Sequence, residues 1–358
     1  MFAYILKKIT YGILVLWGVL TLVFFLFNVL PGDPARMMLD KREDANQLAV
    51  IKQKYAFDRS VGEQYALYLN DVLPVSIHHN SAIAFTSLAS GKYQFSKLFM
   101  IADYTFVFKV PYLRESFVRT GTSVTTIIGN TFKNTFVLAL SSIGIALFLG
   151  LILGVFSALY KDTLIDKLIL FISVLGMSLP SFFASIIMAW LFGFVLHSFT
   201  GLNMTGSLYE VDDYGRGSFL QLKNLILPAV TLGIRPLSVI IQLCRNSLLE
   251  VLSMDYVRTA TAKGLNKFTV IFKHALRNAL NPVVTAVSGW FASLLAGAVF
   301  VEYIFAWNGI GKEIVDALNK MDLPVVMGSV LFIASIFVII NIIVDLIYGW
   351  LDPRIRIS

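Results

Sequence analysis

Residues Arg245–Pro282 read RNSLLEVLSMDYVRTATAKGLNKFTVIFKHALRNALNP, a basic and polar interruption between two long apolar runs. The pattern predicts two short helices with a hinge. The first covers roughly Asp255–Lys263, and Gly264 stands where a left-handed residue ends a helix at little cost. Asn266 caps a second helix in which Phe268, Ile271, Phe272, Ala275 and Leu276 fall on one face. Asn281-Pro282 then breaks or kinks it as the chain turns apolar again. On the first helix Tyr256, Val257, Ala260, Thr261 and Gly264 share a face of mostly small residues, flanked by Arg258 and Lys263. Such a face lets another protein approach the backbone closely. A cationic loop lying on anionic lipid is the other use that fits.

What surrounds the stretch sets the class. The chain is 57% hydrophobic and 14% charged, with a mean hydropathy of +0.76, far from the composition of a soluble domain. Its net charge of +7 lies between apolar runs, facing lipid headgroups and cytosol rather than nucleic acid. A single cysteine, Cys244, excludes an intrachain disulfide and offers no metal cluster.

Six segments are apolar and long enough to cross a bilayer: about 10–30, 134–160, 168–196, 224–244, 279–301 and 323–350. The first has no small-residue cleavage site after Lys7 and Lys8 and reads as an uncleaved anchor. With six spans, Lys7, Lys8, Lys161, Lys167, the basic residues of 245–282, Arg354 and Arg356 share one side. That side is the cytoplasm, which holds both termini. One long segment, about 31–130, lies outside.

Two spans carry small residues at four-residue intervals: Ser142, Ala146, Gly150, Gly154 and Ala158 in the second, Gly289, Ser293 and Gly297 in the fifth. Stripes of this kind mark close helix approach in lipid, within the bundle or against a subunit. Pro180 interrupts the third span and Pro228 begins the fourth, where neighbouring helices re-satisfy the backbone. Asn341 and Asp345 share a face of the sixth span, and Asp345 is expected to cap the bundle by pairing with a basic residue of the 245–282 loop. Arg235 lies near the middle of the fourth span, too deep for full snorkelling. An arginine left in hydrocarbon costs about 2.5–3.5 kcal/mol, so it faces the bundle or an aqueous pathway. It either pairs with carbonyls freed by Pro236 or an acid on another span, or offers a cationic site to a substrate carboxylate.

In the long segment, 46–54 and 62–73 have helical spacing, and 74–111 is dense in aromatics, which argues against disorder. His78-His79 has no third ligand nearby and reads as polar surface. No GxxxxGK[ST], HExxH, CxxC or GxSxG occurs, so the chain binds no nucleotide by a phosphate loop and is not a hydrolase or metalloenzyme by those motifs. If the chain moves a solute across the membrane, the energy comes from a partner or from an ion gradient. An ion-coupled transporter or channel is the alternative, against which stand the lack of a central intramembrane acid and of a two-fold repeat.

Thr259-Ala260-Thr261-Ala262-Lys263-Gly264, Ile271 and His274-Ala275-Leu276-Arg277-Asn278-Ala279 resemble the cytoplasmic signature loop of ABC-importer permeases, in the dipeptide/oligopeptide/nickel branch. Pro31-Gly32-Asp33-Pro34, the Ser116–Gly121 run SFVRTG, Glu302-Tyr303-Ile304-Phe305 with Gly309-Ile310-Gly311, and Asp352-Pro353-Arg354 resemble further marks of it, in order along the chain. Arg258 stands where the wider superfamily has glutamate, and Asn308 where the branch has proline. The resemblance implies an all-α membrane protein of six transmembrane helices with the type I ABC importer permease fold, the first (B-type) permease of its system. Its parts are then 1–30, the first span; 31–123, an external segment with an insertion at about 74–111; 124–350, the core with an ATPase-coupling loop at 245–282; and 351–358, a cytoplasmic tail. Arg258, Ala260, Ala262, Lys263, Gly264 and His274 would couple to the ATPase. Partners would be a second, related permease, two cytoplasmic ATPases that bind the ATP, an external substrate-binding protein and membrane lipid, with no cofactor in this chain. The site implied is a bacterial inner membrane, and the cargo peptides, nickel chelates or other small solutes.

Overall fold

The computed structural model describes residues 2–29, 45–81, 84–212 and 217–351. The PGDP turn and the terminal DPR run lie outside them. Helices dominate. Four are unbroken and apolar enough to span a bilayer: α1 (Phe2–Val29), α4 (Val124–Leu159), α7 (Lys223–Leu252) and α12 (Leu323–Leu351). The expected third span is not straight. It is α5 (Leu164–Ser178) followed by α6 (Ser181–Met188) and a wider π-helical turn to Val195, the two halves bent by 110°. Pro180 sits at the break, where it supplies no N–H to continue α5. The expected fifth span is α9 (Asn281–Gly297), which gives way at Ala298 to the short α10 (Val299–Ile304).

Two compact units divide the chain. One joins residues 1–10, 131–313 and 335–358. Its core is built by α7, whose Gly233 lies 2.9 Å, at Cβ distance, from the Ser142 carbonyl, and whose Ile240 and Cys244 fill the notches at Gly150 and Gly154 of α4. Ser173 of α5 donates to the Ser238 carbonyl at 2.9 Å. These small residues let the helix backbones approach, as the stripe in α4 predicts. The stripe in α9 behaves otherwise: Gly289 and Ser293 are exposed, and a Cβ at Gly289 would meet nothing within 4 Å.

The other unit joins 11–130 and 314–334. Helix α2 (Ala45–Tyr55) precedes α3 (Val61–Val72), whose Tyr65 and Tyr68 pack on Phe24 of α1 with ring centroids 5.2 and 5.8 Å apart. The 74–111 segment is mostly extended, with a 3-10 turn at Leu88–Ser90. It forms three antiparallel strands, β1 (Val75–His79), β2 (Phe95–Ile101) and β3 (Tyr104–Lys109), in the order β1-β3-β2. Thr105, Val107 and Lys109 point inward, while Tyr104 and Phe108 stand exposed, the period-two alternation of a strand. A second, two-stranded ribbon pairs β4 (Tyr209–Val211) with β5 (Ser218–Leu220) in the first unit. The mostly helical fold thus carries two small sheets that hydropathy alone does not register.

Asp71, 1% exposed, holds the β unit together. It accepts from Tyr93 Oη at 2.8 Å and Arg114 Nε at 2.9 Å, and its carbonyl accepts from Lys109 Nζ. Burial pulls the Lys109 ammonium down to about 8, against the opposing pull of the Asp71 charge. His78 is buried rather than on the surface. Its Nδ1 bonds the Thr86 carbonyl at 2.7 Å and its Nε2 the Ser76 hydroxyl at 2.9 Å. Burial lowers its pKa, and with both nitrogens engaged it is a neutral structural imidazole. Further along, Ser116 and the Phe117 amide both bond the Asp322 carboxylate, fixing the SFVRTG run.

Candidate functional site

The loop after α7 folds as the sequence suggests at its hinge and differently on its faces. Helix α8 (Asp255–Ala262) ends before Gly264, whose φ is +79°. Among the described residues, its chain neighbours aside, no atom lies within 4 Å of a Cβ built there, so the glycine answers a backbone demand and not a steric one. Asn266 Oδ1 accepts from Thr269 N at 2.7 Å, starting the second helix at Lys267. That helix widens into a π turn over Val270–Ala275 before Leu276–Ala279 regains α geometry.

The π turn rotates the predicted apolar face. Val270, Ala275 and Ala279 are buried, whereas Phe268 is 69% exposed and lies tilted against the exposed Phe272 with centroids 4.4 Å apart. Helix α8 is likewise turned. Val257 and Ala260, members of its small-residue face, pack against Leu248, Val251, Ala275 and Ala279 of the same chain. The small residues therefore seat α8 on its own bundle. Asn278 Nδ2 donates to Tyr256 Oη at 2.8 Å and ties the two short helices together.

What faces outward is a mixed surface: Arg258, Thr261, Ala262, Lys263, Gly264, Leu265, Phe268 and Phe272, all exposed. Of the six expected coupling residues, Arg258, Ala262, Lys263 and Gly264 lie on it, His274 is half-buried, and Ala260 is in the core. Arg258 has Asp255 at 3.7 Å, a fully solvated contact that contributes little. An outward patch of cations around bare aromatic rings suits a partner's acidic, apolar cleft.

A buried ion pair anchors the loop. Arg245 Nε and Nη2 each lie 2.7 Å from an Asp166 oxygen, and Ser157 Oγ and the Asp162 amide also donate to that carboxylate. Removing one partner of a buried pair costs about 3–5 kcal/mol. Charge placement alone marks Arg245 as a topology signal, and the pairing goes unseen. The clue was Asp166 itself, an acid at the first turn of an apolar helix, three residues after its cap Thr163. Asp345 also departs from expectation: its partner is Lys8 of α1 at 2.6 Å, not the loop. Among the described residues Asn341 bonds only its own helix, at the Phe337 carbonyl, 2.8 Å.

At the opposite end of the same unit, Glu302 is fully buried and accepts from Thr135 Oγ1 at 2.6 Å and from the Gly311 and Lys312 amides at 2.7 and 3.2 Å. The carboxylate thereby caps α11 (Ile310–Asn319). Asn308 donates its N–H to Ser207 Oγ at 3.1 Å, a bond no proline could make. Arg235 is exposed in mid-α7 and has no hydrogen-bond or ion-pair partner among the described residues. Among the described residues, neither a carbonyl freed by Pro236 nor an acid on another span takes it.

Several apolar spans and one folded basic loop define a multi-pass membrane protein. Residues 150–357 match the family described as binding-protein-dependent transport system inner membrane component, and residues 1–86 match its N-terminal companion. The chain belongs to this family, the membrane permease subunits of ATP-binding-cassette importers with the type I fold, which work with ATPases and a substrate-binding protein. The dipeptide transport system permease protein of Alkalihalophilus pseudofirmus is 32% identical over 99% of this chain and 100% of its own. The di/tripeptide permease of Pseudomonas aeruginosa is 33% identical, covering 99% of each. The glutathione transport system permease of Salmonella paratyphi A is 32% identical, again over 99% of each.

Proposed function

We propose that this chain is the first of two related permeases in a peptide importer of a bacterial inner membrane. The observation that carries the peptide assignment is its full-length likeness to permeases named for dipeptides, di/tripeptides and glutathione. All three cargoes are short peptides with free carboxylates. Nickel chelates and other small solutes remain within the wider branch. Six spans with both termini in the cytoplasm agree with the Lys/Arg distribution. The bent α5–α6 pair serves as the third span and α9 with α10 as the fifth.

The working complex holds two permeases, two ATPases and an external binding protein. The exposed Gly289–Ser293 face of α9 meets the second permease. ATP binding and hydrolysis belong to the ATPases, and this chain carries no cofactor. Closure of the ATPases pulls on the patch around Arg258, Lys263 and Phe268, with Gly264 as hinge and the Arg245–Asp166 pair transmitting the motion into α5 and α7. The segment 31–123, with its sheet, lies outside, against the binding protein.

Uptake of labelled dipeptide by cells lacking and then regaining this chain tests the assignment. Uptake should return with the chain, cease on ATP depletion, and withstand a protonophore that spares ATP. Uptake that survives ATP loss and collapses with the proton gradient would restore the ion-coupled alternative.

A further inference from the structure

Among the four unbroken spans α7 is the most enclosed. Gly233, Ile240 and Cys244 close against α4, and Ile234 and Ser238 against Gly176 of α5. One strip of it stays open. Arg235, Val239, Gln242, Asn246 and Glu250 follow one another at four- and three-residue steps and so share a face. Arg235, Asn246 and Glu250 are exposed, and Val239 and Gln242 half-buried. Gln242 is held by Ser173 Oγ at 3.1 Å, which keeps its amide at the α5 side of the strip.

Beyond Arg235, toward the start of α7, the chain closes the same side itself. Pro228 and Thr231 are buried there. Asn224 is buried too, donating to the Ser207 carbonyl at 2.9 Å and Glu210 Oε1 at 2.6 Å while accepting from Asn203 at 2.9 Å. The polar strip therefore runs from the loop end of α7 up to Arg235 and stops. Arg235 stands about 18 Å along the helix from its first residue, deep in the span. Four polar residues of five, ending on a cation without a partner among the described residues, are not a lipid-facing surface.

We infer that this strip lines an aqueous path open toward the loop side, and that Arg235 at its inner end binds the carboxylate of the transported solute. A guanidinium presents a planar fork of donors matched to a carboxylate. Glu250, at the mouth of the strip, has the opposite sign, so an anionic group finds its favourable position at the Arg235 end. The identity of the solute, a peptide with a free C-terminus, rests on the proposed function. The water-facing strip and its positive end do not.

The two are tested apart, in the assembled complex in inside-out membrane vesicles. In a Cys244→Ala background, Val239→Cys and Asn246→Cys should react with impermeant thiosulfonates, the anionic reagent outpacing the cationic at Val239. Adding Arg235→Gln should lower that rate ratio by about tenfold at Val239 and less at Asn246. No reaction at Val239, or an unchanged ratio, overturns the inference. For uptake, Arg235→Gln should slow a dipeptide with a free carboxylate about tenfold more than its C-terminal amide, and Arg235→Lys should restore part of the difference. Equal slowing of both overturns the carboxylate assignment. A wild-type complex that moves neither peptide defeats the peptide reading, and the thiol rates still decide for or against the strip.

Discussion

Two helices carry the same device and use it in opposite directions. In α4, Gly150 and Gly154 are notches that Ile240 and Cys244 fill from α7, so closely that an added Cβ would lie 2.6 and 2.7 Å from its nearest neighbour. In α9, Gly289 and Ser293 repeat the four-residue step and are exposed, and among the described residues a Cβ added at Gly289 meets nothing within 4 Å. The first stripe folds the subunit. The second stays open among the described residues of this chain. Small residues lower the steric cost of approach whatever does the approaching, so spacing alone cannot separate an internal seam from an external one.

The sharpest way to break that contrast is at Gly154. Gly154→Leu should force α4 and α7 apart, since neither the Ile241 carbonyl nor the Cys244 side chain can retreat freely. Overpacking of about 1–3 kcal/mol should lower the unfolding temperature of the detergent-purified chain by about 5 °C. An unchanged melting curve would mean that the seam is not tight. Gly289→Leu should leave that temperature within about 1 °C, as for an exposed change. It should, however, cut the second permease recovered with the chain several-fold. Equal thermal effects from the two substitutions would erase the distinction.

The three-stranded sheet offers a finer version of the same question, buried against open. Lys109 is 2% exposed and titrates near 8 when folded, against about 10.5 unfolded. The folded state then binds fewer protons than the unfolded between those values, so stability rises with pH across that window, and the full cost is present below it. Hydrogen-exchange protection of the Tyr104–Lys109 amides, corrected for intrinsic rates, should increase modestly from pH 7.5 to 9.5. Lys109→Met should flatten the trend. A decrease over that range in the unmodified chain would contradict the burial of the ammonium.

What the sequence disclosed follows from the range of each interaction. Gly264 and Asn266 are legible because a positive φ and a cap are decided within four residues. The face of the second helix is misread because a π turn at Val270–Ala275 shifts Phe268 and Phe272 outward. Val257 and Ala260 look like an open docking face until Ala275 and Ala279 cover them. Asp345 finds Lys8, near the other end of the chain, a choice no local pattern carries. The strands were present in the text as Tyr104, Phe106 and Phe108 alternating with Thr105, Val107 and Lys109, but aromatic density masks a period of two in a chain read for spans.

Coupling through the loop is the central claim, and Gly264 tests it most directly. Its φ of +79° costs a β-branched residue about 1–2 kcal/mol or more, while among the described residues nothing lies within 4 Å of the new Cβ. Gly264→Val should therefore leave the permease folded and inserted but distort the outward patch. In the reconstituted complex at equal subunit content, the expected result is loss of most of the ATP hydrolysis stimulated by loaded binding protein, with transport falling alongside. Wild-type stimulation and wild-type transport from this variant would contradict the account.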